Sequence, residues 1–199
     1  MKPVSFGYLI DALKSLPGVG KKQAERIAYF LINKDEKYID DLIQRIKNGK
    51  DNIHFCKQCN NFAEHELCDI CSNQSRTQDK LCIVSTIEDL QKIEETNSYT
   101  GLYFVLNGEV DVKTKQTLNH IVIRQLMDLV RSHTFNEVIF ATNWTINGEA
   151  TAAFIKSIIK ELSKTTNFYR LALGLPINSA LDYADNTTLK YALQNKTKY

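Results

Sequence analysis

Cys56-Lys57-Gln58-Cys59-Asn60-Asn61-Phe62-Ala63-Glu64-His65-Glu66-Leu67-Cys68-Asp69-Ile70-Cys71 holds two Cys-x-x-Cys turns with eight residues between them. Such a turn sets two thiolates on one side of a tight loop. Two of them face to face supply the four sulfur ligands that tetrahedral Zn²⁺ prefers. The intervening stretch is just long enough to fold back, so the segment reads as a small treble-clef or ribbon-like knuckle. Cys56, Cys59, Cys68 and Cys71 are therefore the candidate ligands of one structural Zn²⁺ per chain. Four thiolates leave no open coordination position, which separates this site from a hydrolytic centre. Two disulfides are the rival reading, and they suit a secreted chain.

The sequence changes character across this knuckle. On its N-terminal side, three apolar stripes recur at helical spacing: Phe6, Leu9, Ile10, Leu13; Ala24, Ile27, Ala28, Leu31; and Ile39, Leu42, Ile43, Ile46. On its C-terminal side, short β-like runs (81–84, 102–106, 137–142, 168–173) alternate with helical stretches near 87–96, 120–132 and 148–163. Strands alternating with helices predict an α/β domain with a mainly parallel sheet, right-handed crossovers and helices on both faces. A last helical stretch, near 186–195, follows the break at Gly174-Leu175-Pro176. Cys82 lies in the run Leu81-Cys82-Ile83-Val84 and reads as a buried strand residue.

Of the 199 residues, 43% are hydrophobic and 24% charged, an ordinary soluble balance. No apolar run is long enough to cross a bilayer. Asp11 and Lys14 interrupt any signal-peptide core, which predicts a reducing, cytoplasmic setting for the cysteines. The net charge of +2 is uneven. Residues 1–50 carry ten basic against six acidic side chains, so a phosphate-facing surface is expected there.

Leu16-Pro17-Gly18-Val19-Gly20-Lys21-Lys22-Gln23-Ala24-Glu25-Arg26-Ile27-Ala28 resembles a helix–hairpin–helix motif. Pro17 stops the first helix, and Gly18 and Gly20 permit a tight turn and close backbone approach. The second helix starts at once, so its free N–H groups suit phosphate oxygens. Lys21, Lys22 and Arg26 add positive charge. Gly18, Gly20, Lys21, Lys22 and Arg26 are the candidate DNA-binding residues, reading backbone and not base sequence. The plainer alternative is a glycine turn joining two packed helices, with solvated lysines.

Glu137-Val138-Ile139-Phe140-Ala141-Thr142-Asn143-Trp144-Thr145-Ile146-Asn147-Gly148-Glu149 is strand, loop, helix, and resembles the Toprim signature of topoisomerases and primases. There, acidic residues after the strand hold Mg²⁺. Here Asn143, Thr145 and Asn147 stand at those positions, and Ser85 follows the first strand in place of an acid. Glu149 remains, at a helix start that favours a carboxylate anyway. Amides and hydroxyls do not build the carboxylate cluster a hard cation needs. The domain is expected to be Toprim-shaped and catalytically empty. A Mg²⁺-dependent nuclease or primase-like enzyme is the alternative, and a zinc-stapled interaction module without a DNA role is a third class. The histidines 54, 65, 120 and 133 are dispersed, although His65 lies inside the knuckle.

The modules in this order, with LPGVGKKQAERIA, CKQC…CDIC, IEETNSYTGLYFVLNGEV, ATNWTINGEATAAF and RLALGLPINSALDYADNTTL, resemble the RecR family of bacterial recombination mediators over nearly the whole chain. The resemblance implies a helix–hairpin–helix DNA-binding region at 1–53, a four-cysteine zinc finger at 54–76, a Toprim-like domain at 77–174 and an oligomerising tail at 175–199. It implies a cytoplasmic, non-enzymatic protein that acts with RecO and RecF to help load RecA on single-stranded DNA. It also implies dimers or ring-like tetramers. Ser85, Asn147 and Phe104 replace an acidic residue, a Glu and a His common in that family, and the loop 109–117 lacks its usual Pro and Gly.

Overall fold

A computed structural model of the chain describes residues 3–178, 180–196 and 198. Positions 1, 2, 179, 197 and 199, which fall in the expected N-terminal region and tail, lie outside the described residues. The chain divides after Ile53 into two units.

In the first unit the three apolar stripes form α1 (Val4–Lys14), α2 (Lys21–Ile32) and α3 (Glu36–Asn52). Ile10 of α1 packs with Ala24 and Ala28 of α2. The two alanines lie one turn apart, and their small side chains let the helices approach closely. Asp35 starts α3 by accepting the Tyr38 N–H at 2.8 Å. No residue of α3 is buried, and Ile43 and Ile46 are 44% and 63% exposed. Periodicity thus identifies the helix correctly but not what covers its stripe.

The second unit begins with the knuckle. Strands β1 (His54–Phe55) and β2 (Phe62–Ala63) pair antiparallel and lead to the short helix α4 (Asp69–Ser72). Then follow β3 (Thr77–Val84), α5 (Ile87–Glu95), β4 (Gly101–Val105), α6 (His120–Ser132), β5 (Glu137–Ala141), α7 (Ile146–Leu162) and β6 (Asn167–Arg170). A 3₁₀ turn (Leu181–Tyr183) and α8 (Asn186–Gln194) come last.

The sheet runs β4-β3-β5-β6, and every pairing is parallel. Alternation along β3 sends Leu81 and Ile83 to one face and Cys82 and Val84 to the other. The first face packs on Leu126 of α6 and on Ile155 and Ile159 of α7. The second packs on Ile87 and Leu90 of α5. Thr86 opens α5 with a reciprocal capping box to Asp89. The sheet is covered on both faces, as the strand–helix alternation implies, and Cys82 is buried.

Element ends differ from the sequence reading by two or more residues in three places. β3 starts at Thr77, ahead of the apolar run, because its polar beginning still pairs with β4 at Thr77↔Gly101. β6 stops at Arg170, short of Leu173, because its ladder with β5 ends at Phe140↔Arg170 and β5 itself ends at Ala141. α7 starts at Ile146, where Thr145 accepts the Gly148 N–H at 3.1 Å.

From β3 the chain passes through α5 to build β4 on one side, then returns through α6 to build β5 on the other side of β3. A crevice therefore opens beyond the carboxyl ends of the strands, where the connections diverge. The residues that follow β3, β4 and β5 meet there.

Candidate functional site

Local backbone geometry builds the cysteine cluster. The first turn closes with the Asn60 N–H on the Cys56 carbonyl at 3.0 Å, and Asn60 takes φ 62°, a left-handed value that asparagine tolerates. The second turn closes with the Ser72 N–H on the Cys68 carbonyl, also at 3.0 Å. Cys56, Cys59 and Cys68 are buried and Cys71 is half-buried. All four sulfurs lie within 4.8 Å of one another. Tetrahedral Zn–S bonds of ~2.3 Å put sulfurs about 3.8 Å apart, so the cluster fits the ion with little adjustment.

The thiols are free, and the Cys59 and Cys68 sulfurs sit 3.5 Å apart, hydrogen-bonded and not cross-linked. Bonding from Cys59, and then from Cys68 and Cys71, draws the Cys56 thiol far below its ordinary range. Bonding to Cys56, Cys59 and Cys68 pushes Cys71 far up. Cys68 is drawn down as well, to about 7, while Cys59 is pushed up by its bonds to Cys56 and Cys68, so full ionisation of the cluster is opposed until a dication supplies opposite charge. The Cys68 N–H also donates to the Cys56 sulfur at 3.3 Å. His65 takes no part among the described residues; its carbonyl meets His54 Nε2 at 2.7 Å.

The hairpin between α1 and α2 is open. The Val19 N–H closes a turn on the Leu16 carbonyl at 3.1 Å. Gly18 takes φ 76°, so the turn requires glycine there. Gly20 is the N-cap of α2 at an ordinary φ of −74°, and a Cβ there would meet nothing within 4 Å, so neither the backbone nor the packing among the described residues requires glycine at this position. No side chain caps α2, which leaves the first-turn N–H groups free for an external acceptor. Lys21, Lys22 and Arg26 are exposed and make no ion pair among the described residues. The structure thus brings all five predicted hairpin residues to one helix start.

The crevice contains a residue the sequence reading missed. Glu109, from the loop after β4, reaches across it. Its Oε1 accepts the Ser85 hydroxyl at 2.6 Å, the Asn143 N–H at 3.0 Å and the Asn143 side-chain amide at 2.9 Å. The carboxylate comes from the neighbouring loop, while Ser85 and Asn143 supply its donors. Glu149 is committed elsewhere: Arg170 Nε bonds it at 2.9 Å and Arg170 Nη2 also contacts it. The same guanidinium holds the carbonyls of Thr142 at 2.9 Å and Asn143 at 3.1 Å. Asn147 accepts the Val112 N–H at 3.1 Å, and Thr145 caps α7. Both carboxylates are thus bound by protein donors. Among the described residues the cysteines form the one cluster of three or more potential metal-ligating His, Cys, Asp or Glu groups. The missed signal was topological: Glu109 follows Gly108 just past a strand end that faces the crevice.

Comparison with known proteins matches four successive stretches of the chain. Residues 6–49 match the model described as RecR, helix-hairpin-helix. Residues 53–73 match the RecR four-cysteine zinc finger domain. Residues 79–172 match the Toprim domain, and 174–197 match RecR, C-terminal. The chain is 48% identical over 197 residues to the recombination protein RecR of Ureaplasma urealyticum, covering 99% of this chain and 98% of that one.

The chain belongs to the RecR family.

Similar RecR proteins include those of Lactobacillus helveticus, 40% identical with 98% of each chain covered, and of Desulforudis audaxviator, 37% identical with 96% of each covered. The RecR zinc finger match encloses all four clustered cysteines, and the cofactor is one structural Zn²⁺. Bound there, the ion would cross-link the two turns. Among the described residues no helix is long and apolar enough to cross a membrane.

Proposed function

We propose that this RecR-family chain is a non-enzymatic, DNA-binding mediator of recombinational repair. It works in the cytoplasm with proteins of the RecO and RecF kind to help load RecA on single-stranded DNA. The observation that carries this reading is the uncapped start of α2 beside exposed Lys21, Lys22 and Arg26. Those residues, with Gly18 and Gly20, form the phosphate-facing patch. Cys56, Cys59, Cys68 and Cys71 hold the zinc. Names of the relatives support the recombination role.

The functional division is 1–53 for DNA binding, 54–76 for zinc, 77–174 for the Toprim-like domain and 175–199 for oligomerisation. The chain acts as a homo-oligomer, a dimer or a ring-like tetramer. Support comes from apolar side chains that its own fold leaves uncovered: Ile46 at 63%, Leu181 at 64% and Leu193 at 70% exposure. Several copies would also present several hairpins to one DNA molecule. A catalytic role is disfavoured because Glu109 and Glu149 are both engaged by protein donors.

The test is DNA binding across a salt series by wild type and by Lys21→Ala/Lys22→Ala/Arg26→Ala, with zinc content and oligomer mass matched. The triple variant is expected to bind all sequences more weakly, with a flatter salt slope. Unaltered affinity and slope would show that the hairpin is a structural turn only. Mg²⁺-dependent plasmid nicking that Glu149→Gln abolishes would establish the enzyme instead.

A further inference from the structure

His120, Ile123, Arg124, Met127 and Arg131 recur at helical spacing and share one face of α6. With Phe154 of α7 they line a groove of about 480 Å³. Its lining is basic and apolar and contains no acidic residue. Arg124 is exposed and makes no ion pair among the described residues. Arg131 meets Asp128 at 3.3 Å, but both side chains are more than half exposed, so the pair constrains the guanidinium little. Phe154 is 39% exposed. Upstream, the loop closed by the Asp111↔Gln116 bridge leads into the groove wall and carries exposed Lys113 and Lys115. The Asp111 carboxylate turns back onto the N–H groups of Lys113 and Thr114, away from competing for those cations.

We propose that this groove is a second nucleic-acid contact, specific for single strands. Arg124 and Arg131 stand seven residues apart, about 10 Å along the helix axis. A strand laid along α6 meets both through its phosphodiesters. A base from the same strand stacks on Phe154, which requires that the base be free of a duplex stack. An acidic peptide would satisfy the arginines and leave the exposed ring without a matching surface. The proposal shares with the proposed function only the premise that the chain binds DNA; the contact itself is on a different unit from the hairpin.

The experiment is fluorescence anisotropy of labelled oligo-dT with the full chain across a salt series. Arg124→Ala/Arg131→Ala is expected to weaken binding and flatten the slope by about 1.4 units of log K per log salt, at ~0.7 for each contact with a single strand. Arg124→Lys/Arg131→Lys should keep the slope. Phe154→Leu should weaken oligo-dT binding about tenfold without changing the slope, and should not affect an abasic strand. Unaltered affinity and slope in the arginine pair, with a loss in the hairpin triple variant, would overturn the groove and leave the proposed function standing. Equal effects of Phe154→Leu on abasic and thymidine strands would also overturn it, because the groove would then be a patch for any polyanion. No wild-type binding to any DNA would overturn both readings.

Discussion

Gly148, the third residue of α7, is buried against the backbone of Asn143. A Cβ on it would lie 2.0 Å from the Asn143 carbonyl oxygen, 2.8 Å from its carbonyl carbon and 3.0 Å from its nitrogen. Backbone atoms cannot rotate aside, and this segment is pinned. Arg170 holds the Asn143 carbonyl at 3.1 Å, and Glu109 holds its N–H at 3.0 Å. Relief requires α7 or the loop to move by more than ~1 Å, and overpacking of this kind costs about 1–3 kcal/mol. The same movement weakens the Thr145 cap, worth about 1 kcal/mol. Alanine recovers at most about 1 kcal/mol of helix propensity. Gly148→Ala is therefore expected to destabilise the chain by about 2 kcal/mol and lower Tm by roughly 4–8 °C. Gly49→Ala is the control. It lies in α3 with nothing within 4 Å of the new Cβ, and should stabilise by about 0.5–1 kcal/mol. Circular-dichroism melts of both variants beside wild type give the answer. A Gly148→Ala chain that melts at or above wild type would refute the reasoning.

Cys56→Ser should abolish stoichiometric zinc in elemental analysis and destabilise the chain, because the knuckle is too small to supply its own core; full zinc retention would count against the four-sulfur site. Glu109→Ala should cost about 1–3 kcal/mol, read as a lower urea midpoint, because the buried Ser85 hydroxyl and the Asn143 amide lose their shared acceptor. The acid response should depend on Glu94. Burial works to raise its carboxyl, but the Arg76 guanidinium, bonded at 2.6 and 3.0 Å, outweighs this and holds it below the usual range. Being lowered on folding, it contributes stability that is complete above the unfolded value of about 4.3 and is lost as pH falls through the folded one. Glu94→Gln should flatten the fall in urea midpoint below about pH 4.3, and an unchanged acid limb would rule the pair out as its source.

Legibility in the sequence followed the range of the interactions. The two CxxC turns were legible because each is closed by a contact between residues four apart. Helix α5 was legible within a residue at each end, since Thr86 and Asp89 write its capping box locally. The hairpin was legible for the same reason, although only Gly18 uses a glycine-specific backbone angle. Glu109 was not, because its partners Ser85 and Asn143 lie 24 and 34 residues away and meet it only once the parallel sheet exists. Arg170 was missed likewise, as its grip on Glu149 spans 21 residues. The run to Leu173 read as strand because its residues favour extension, but the neighbouring strand had already ended.

The knuckle has a further consequence at the side of the sheet. β4 is an outer strand, and the bond from the Leu106 N–H to the Val84 carbonyl at 3.0 Å sets which of its groups face inward. Val105 therefore presents its N–H and carbonyl to the outside. The Cys59 carbonyl accepts that N–H at 2.8 Å, and the Asn60 side-chain amide donates to that carbonyl at 3.3 Å. Two neighbouring residues of the first cysteine turn, Cys59 and Asn60, thus occupy the outward backbone groups at the end of this apolar edge strand and block stray β-pairing there with other chains. Zinc bound by Cys59 would hold this turn in place, and so would guard against aggregation as well as staple the knuckle. A chain stripped of it would be expected to grow β-rich assemblies from this edge before the rest of the sheet comes apart.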